Sequence, residues 1–320
     1  MSDIETYEPS QIDIFDEVKA IIKTENYTYK QVAVQSGLSV PMLSQVLSHK
    51  YKGDVEKAAT SLQNWIQNYK MSKEINDSLG EDIGFIETPT ANKCKTIMNI
   101  CYATGDMGAI VGPPGRGKTS VAEELERENA RIYYVCADET RSKPNIIITE
   151  ILMKIGMGTS ARHVQNLRIL EDFLMGFPSL ICIDEAQKLT MKAFEQLRSI
   201  HDRTGCGIVF MGNNKVISSL TGGSRPGDFA QLSSRAGMRY IIPSKVPTED
   251  ATLLLDALGI TEPKTREHLV DVANTPGALR TMTKVIKMAR FNKKSGDSDA
   301  EFHNKVVSAS RVLSVGGRRA

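Results

Sequence analysis

The spacing of apolar residues divides the chain into a helical N-terminal part and a longer part in which helices and strands alternate. Between about Ile12 and Tyr69, apolar positions recur at the three- and four-residue intervals of amphipathic helices. The following stretch, "MSKEINDSLGEDIGF", is polar and has no strong period, so we predict a linker there. From residue 88, short apolar runs alternate with helical segments, which is typical of βαβ units and a parallel sheet.

Four buried strands are predicted in this second part, within "GAIVG", "RIYYVCA", "SLICIDE" and "GIVFMGNN". After Pro243 no strand pattern recurs, and the remaining apolar residues have helical spacing. We therefore predict a helical N-terminal domain (1–72), a linker (73–87), an α/β core (88–243), a helical lid (244–294) and a basic C-terminal tail (295–320).

The N-terminal domain has the pattern of a helix-turn-helix. Four residues stand where that motif needs a small residue, a turn glycine and two core apolar residues: Ala33, Gly37, Leu43 and Val46. Its second helix would present Gln45 and Lys50 to DNA. The alternative is a small helical bundle that binds protein or only packs.

A phosphate-binding loop is predicted between the first strand and the next helix. "GPPGRGKT" matches G-x-x-x-x-G-K-[ST] in the strand–loop–helix context that this motif requires. Backbone N–H groups of the loop would face the phosphates, Lys118 would add a positive charge, and Thr119 would bind Mg²⁺. The residues predicted to bind the nucleotide follow one another along the chain: Gly112, Pro113, Pro114, Gly115, Arg116, Gly117, Lys118, Thr119 and Ser120.

Two carboxylates follow the apolar strand "LICI", at the edge of the sheet where ligands bind in open α/β folds. Asp184 is placed to hold Mg²⁺, and Glu185 to orient and polarise the attacking water. Asn213, at the end of the fourth strand, could hold that water, although an ordinary asparagine turn is the alternative. Arg235 and Arg280 could stabilise charge on the phosphates; surface ion pairs are the alternative for both.

The composition of the chain limits how it could bind nucleic acid or metal and where it could act. The chain has 40 basic and 38 acidic residues, a net charge of +2, so bulk charge alone would not hold it to nucleic acid. Its five cysteines are scattered and lack the spacing of a metal site, which agrees with a reducing cytoplasm. No apolar run approaches the length that would span a membrane, and the N-terminus lacks the pattern of a signal peptide.

The order of these motifs resembles the AAA+ ATPases of the initiator type. A closer resemblance, from about Asp13 to Arg290, is to the MuB family of phage Mu transposition proteins. It rests on "TYKQVAVQSGLS", "IDEAQKL", "MGNNKVISSLTGGSR", "FAQLSSRAGMR" and "PGALR". The resemblance implies an ATP- and Mg²⁺-dependent ATPase that forms helical filaments through its ATP interfaces. It would bind duplex DNA with little sequence preference and deliver it to a MuA-type transposase, in the cytoplasm of a bacterium that carries the phage or prophage.

The resemblance also implies roles for individual residues. Asn213 would be the sensor on the fourth strand, Arg235 a finger acting on the neighbouring subunit's ATP, and Arg280 a second sensor in the lid. The chain is less basic than a DNA filament former is expected to be. The segment "GTSARHVQNLR" offers only Arg162 and Arg168 as candidates for DNA contact.

Two other functions compete with this interpretation. One is an AAA+ loader or remodeller that acts on protein partners, as in secretion systems. Relatives of that type lack a helix-turn-helix, whereas this chain has the pattern of one. They also usually continue into a membrane- or wall-binding region, and no such region is visible in this sequence. The other is a sequence-specific regulator that only binds ATP.

Overall fold

The chain forms two compact units, residues 1–81 and 82–320, in a computed structural model. The structure describes residues 8–79, 83–221, 238–294 and 296–313. Within that part of the chain, none of the helices is long and apolar enough to cross a membrane.

In its described residues, the N-terminal unit contains four helices: α1 (Pro9–Thr24), α2 (Tyr29–Ser36), α3 (Val40–Leu47) and α4 (Val55–Leu79). The turn between α2 and α3 contains the glycine that the helix-turn-helix pattern predicts. Gly37 ends α2 in the left-handed conformation, at φ 73°, and the Ser39 side chain caps α3 by accepting a hydrogen bond from the backbone N–H of Met42. Phe15, Leu43 and Leu62, from three different helices, are fully buried together.

One correction concerns the predicted linker. Helix α4 continues to Leu79, so most of "MSKEINDSL" is helical. The side chains of residues 71–75 are all exposed. Because these side chains are exposed, hydrophobic periodicity does not reveal this part of the helix, although Met71, Lys73 and Glu74 form helices readily.

The second unit is built on a five-stranded parallel sheet: β1 (Met107–Val111), β2 (Ile132–Cys136), β3 (Leu180–Asp184), β4 (Gly207–Gly212) and β5 (Met238–Ile241). The strand order is β2-β3-β4-β1-β5, and every pair is parallel. The first four strands confirm the prediction. β5 was not predicted: it is only four residues long and half-exposed, and Arg239 interrupts its apolar run.

Helices cover both faces of this sheet. The helices of the core are α5 (Pro89–Thr104), α6 (Lys118–Glu128), α7 (Pro144–Ile155), α8 (His163–Leu174), α9 (Met191–Thr204) and α10 (Lys215–Thr221). One buried cluster joins the strands to α7, α8 and α9, and another joins them to α5 and α6. Because connections between parallel strands cross over the sheet, the loops that follow β1, β3 and β4 meet at one edge.

The lid contains α11 (Thr248–Ala257), α12 (Pro263–Ala273), α13 (Ala278–Phe291) and α14 (Asp299–Val312). Helix α14 corrects the prediction of a C-terminal tail that begins at residue 295. Ser298 and Glu301 form a capping box at its start, and Val306 and Ala309 are buried in the lid's apolar core. The lid therefore extends well beyond residue 294.

Candidate functional site

The predicted phosphate loop lies between the buried strand β1 and the N-terminus of α6. Gly115 and Gly117 have φ of 74° and 80°, a backbone region that favours glycine. Gly117 is the N-cap of α6, so the first N–H groups of that helix face the loop. Pro114, in the loop, and Ser120, in the first turn of α6, are both exposed. The local geometry is that of an anion-binding cradle.

Lys118 is buried inside this loop. Its Nζ donates hydrogen bonds to the carbonyl oxygens of Gly112, at 2.9 Å, and Pro113, at 2.8 Å. Burial lowers the pKa of the Lys118 ammonium, while the carboxylates of Asp184 and Glu185 act in the opposite direction. These two acids therefore lie close enough to stabilise a charged lysine in the loop.

Thr119 and Asp184 are brought together from two different segments. The Thr119 hydroxyl donates to Asp184 Oδ2 at 2.5 Å, and the Tyr134 hydroxyl donates to the same oxygen at 3.3 Å. Burial and the Asp184 carboxylate raise the pKa of Tyr134, which keeps it a donor. One hydroxyl and one carboxylate beside a phosphate loop suit Mg²⁺, which takes few protein ligands and shares phosphate oxygens.

Glu185 lies at the turn that follows β3. Its backbone has φ 51°, in the left-handed region, and its N–H donates to Asp184 Oδ1 at 2.8 Å. The Glu185 side chain is exposed, and its Oε2 accepts a hydrogen bond from Gln187 Nε2 at 2.5 Å. The Glu185 carboxylate is thus accessible to a ligand at the edge of the sheet, while Gln187 fixes the position of Oε2.

Asn213 directly follows β4, next to the phosphate loop: the Gly112 N–H donates to the Gly212 carbonyl at 3.0 Å. The Asn213 side chain accepts from the backbone N–H of Lys215 at 2.9 Å. It also borders an open cavity of about 290 Å³ at the C-terminal edge of the sheet. The cavity is lined by Gly112, Pro113, Asn213, Asn214, Lys215, Ile241, Ile242 and Ser244.

Arg280, in the first turn of lid helix α13, lies beside the phosphate loop. A Cβ added to Gly115 would be 3.2 Å from the Cβ of Arg280. The positive charge of Arg280 contributes to lowering the pKa of Lys118. The lid thus places an arginine near the lysine of the loop, where the resemblance put a second sensor.

Arg116 is part of the loop but is turned away into the core–lid junction. It is 3% exposed, and its Nη2 donates to the carbonyl oxygen of Lys245 at 3.2 Å. Burial lowers the pKa of Arg116, and Asp250 opposes that effect. Its observed contact is therefore with the chain that leads into the lid.

Arg235 lies outside the described residues, so the finger stays a prediction. The candidate DNA contacts are all exposed: Gln45 on α3, Lys50 just after it, Arg162 at the N-cap of α8 and Arg168 within α8. The guanidinium groups of Arg162 and Arg168 belong to exposed side chains. Their positive charges remain open to solvent.

Sequence reasoning missed two side chains that contact the predicted site residues. Tyr134 precedes the end of β2 by two residues, and its aromatic type alone indicated only a strand. Gln187 lies in a 3₁₀ turn, Ala186–Lys188, after Glu185. Both act on residues that are distant along the chain or across a turn, so only the folded sheet reveals them.

Comparisons with known proteins agree with this arrangement. A family model described as "AAA domain" matches residues 102–220, and one described as "Mu B transposition protein, C terminal" matches residues 234–310. The chain is 34% identical over 278 residues to the ATP-dependent target DNA activator B of Escherichia phage Mu, covering 87% of this chain and 88% of that protein. The Mu-like prophage FluMu DNA transposition protein B of Haemophilus influenzae is 26% identical over 273 residues, covering 84% and 94%. The AAA match and the parallel sheet confirm the predicted AAA+ fold class.

Proposed function

Because the chain belongs to the Mu B transposition protein family, we propose that it is a Mg²⁺-dependent ATPase that binds duplex DNA in its ATP-bound, oligomeric state. The DNA would be bound with little sequence preference and delivered as target to a transposase of the MuA type. The AAA-domain match supports ATP hydrolysis, and the name of the phage Mu relative, a target DNA activator, supports the role in transposition.

The observation that carries the proposal is the hydrogen bond from the Thr119 hydroxyl to Asp184 Oδ2, 2.5 Å long, next to the buried Lys118. The loop amides and Lys118 would bind the phosphates of ATP. Mg²⁺ held by Thr119 and Asp184 would neutralise charge that develops on the phosphates. Glu185 would polarise the attacking water, since its exposed carboxylate can accept a proton at this edge of the sheet.

Two arginines and one asparagine would complete the site. Asn213 would orient the water, and Arg280 would reach the phosphates from the lid, next to Gly115. Arg235 of a neighbouring subunit would stabilise charge in the transition state, which makes turnover depend on assembly. Assembly would therefore couple the nucleotide state to DNA binding.

Side chains from both the N-terminal domain and the core would contact DNA. The helix-turn-helix offers Gln45 and Lys50, and the core offers the exposed Arg162 and Arg168. With a net charge of only +2, affinity for DNA would come from the repetition of such patches along an oligomer rather than from a single subunit.

Sedimentation with random-sequence duplex DNA tests the proposal. Wild-type protein should pellet with DNA in the presence of ATP and Mg²⁺, and remain in solution with ADP. Lys118→Ala should stay soluble under all conditions, because it loses the cation closest to the phosphates. Nucleotide-independent behaviour of the wild type, with no DNA in the pellet, would favour a machine that acts on protein partners.

A further inference from the structure

One side chain joins the ends of two neighbouring strands at the nucleotide site. Gln187 Nε2 donates to Glu185 Oε2 at 2.5 Å, and Gln187 Oε1 accepts from the backbone N–H of Asn213 at 3.3 Å. Glu185 follows β3 and Asn213 follows β4. The amide of Gln187 therefore links the two residues to which the proposed function assigns the attacking water.

The backbone on both sides accommodates this link. The left-handed conformation of Glu185 starts the 3₁₀ turn that carries Gln187 back over the sheet edge. On β4, Gly212 leaves room for the amide, since a Cβ there would lie 2.0 Å from Gln187 Oε1. Any residue other than glycine at position 212 would have to displace the Gln187 side chain.

We propose that Gln187 is a positioning residue that fixes the Glu185 carboxylate relative to Asn213 for ATP hydrolysis. The inference rests on the proposed role of Glu185. Only one Glu185 oxygen, Oε2, is engaged by Gln187, which leaves Oε1 for water. A carboxylate that is free to rotate would spend less time in the reactive geometry, and a misplacement of about 1 Å can cost about 100-fold in rate.

An amide is required because the link needs a donor and an acceptor on one side chain. A glutamate at position 187 would supply no donor and would place a second negative charge against Glu185. An asparagine is one methylene shorter and cannot span the same two partners. A methionine has similar length and volume but forms neither hydrogen bond, so it removes the link with little change in packing.

The experiment compares Gln187→Met with Lys188→Ala, a change in the same 3₁₀ turn. Lys188 Nζ forms an exposed ion pair at 3.2 Å with Glu139, which follows β2, on the other side of β3 from β4. We expect Gln187→Met to lower kcat about 100-fold while the Kd for ATP stays at the wild-type value. Lys188→Ala should retain both constants, which would exclude a general disturbance of the turn.

A second measurement separates positioning from a purely structural role. In single-turnover experiments, adding Gln187→Met to Glu185→Gln should not lower the residual rate further, because residues that act as one unit are not additive. A further fall of the same size, or a loss of ATP affinity in Gln187→Met, would overturn the proposal. So would a normal or faster kcat.

The failure of this inference can be distinguished from failure of the proposed function. If Glu185→Gln itself hydrolyses ATP at the wild-type rate, the assignment of Glu185 is wrong. If Glu185→Gln is inactive but Gln187→Met is fully active, only the role of Gln187 is wrong.

Discussion

The carbonyl oxygen of Gly277 in the lid occupies the space where a side chain on Gly115 of the phosphate loop would begin. A Cβ added to Gly115 would lie 1.9 Å from that oxygen. Gly277 is the N-cap of α13, which carries Arg280 in its first turn. The close approach of two backbones thus brings the lid arginine to the loop that would hold the phosphates.

Replacing Gly115 by alanine should therefore weaken ATP binding by about tenfold or more. The new methyl group would separate the lid from the loop, and the φ of 74° would add about 1–2 kcal/mol of backbone strain. Gly156→Ala is a matched control, because Gly156 has φ 83° but no atom within 4 Å of an added Cβ. Fluorescent nucleotide titration of both variants measures the difference. Equal ATP affinities would show that the approach of the lid does not affect the site.

Asp250 should contribute to the stability of the core–lid junction. It is fully buried in the first turn of α11, and its Oδ1 accepts from the backbone N–H of Thr90 at 3.1 Å. Asp250→Ala would leave that buried N–H without a partner, at a cost of about 1–3 kcal/mol. Asp256→Ala, which removes an exposed pair with Arg266, should cost about 0–1 kcal/mol.

Urea unfolding of the wild type, Asp250→Ala and Asp256→Ala measures the free energy of unfolding of each protein. If Asp250→Ala is as stable as the wild type while Asp256→Ala behaves as expected, the buried contact to Thr90 does not hold the lid to the core.

Arg235 should act on the ATP of a neighbouring subunit. Arg235→Ala should bind ATP normally but lose about 10³–10⁵ in turnover, the range known for arginine fingers. Mixing it with Lys118→Ala should restore part of the activity, because one subunit brings an intact pocket and the other an intact finger. An inactive mixture of folded, co-assembled variants would show that Arg235 does not act between subunits.

The N-terminal unit should add to DNA binding without being essential for it. A protein lacking residues 1–81, the boundary between the compact units, should still bind DNA in the presence of ATP. Binding by both proteins should fall steeply as salt rises, because phosphate contacts release counterions. Complete loss of DNA binding by the folded truncation would place the main DNA site in the helix-turn-helix.

The sequence predicted the parts of the fold that depend on local patterns. The buried strands β1, β3 and β4 are continuous apolar runs, and the phosphate loop is a local motif, so Lys118, Thr119 and Asp184 could be placed in advance. Helix α14 lies in the segment predicted as a basic tail, because it buries only a few apolar residues, such as Val306 and Ala309, and so has a weak apolar period.

The missed residues depend on the tertiary structure. Gln187 reaches Asn213 only because β3 and β4 are neighbours. The absence of a side chain on Gly212 matters only in that pairing, where it leaves space for the Gln187 amide. Asp250 and Thr90 are 160 positions apart and meet only when the lid packs on the core. No periodicity or spacing in the chain carries this information.

The lifetime of Glu185→Gln on DNA tests directly whether the protein holds DNA only in its ATP-bound state, because ATP hydrolysis at this site would then release it. The variant keeps Lys118 and Thr119, so it should bind ATP and DNA like the wild type. An amide cannot accept the proton of the attacking water, so turnover should be blocked. After dilution into competitor DNA with ATP present, wild-type protein should dissociate as ATP is consumed, and Glu185→Gln should remain bound. Dissociation of both proteins at the same rate, with turnover blocked in the variant, would show that release from DNA does not depend on ATP hydrolysis.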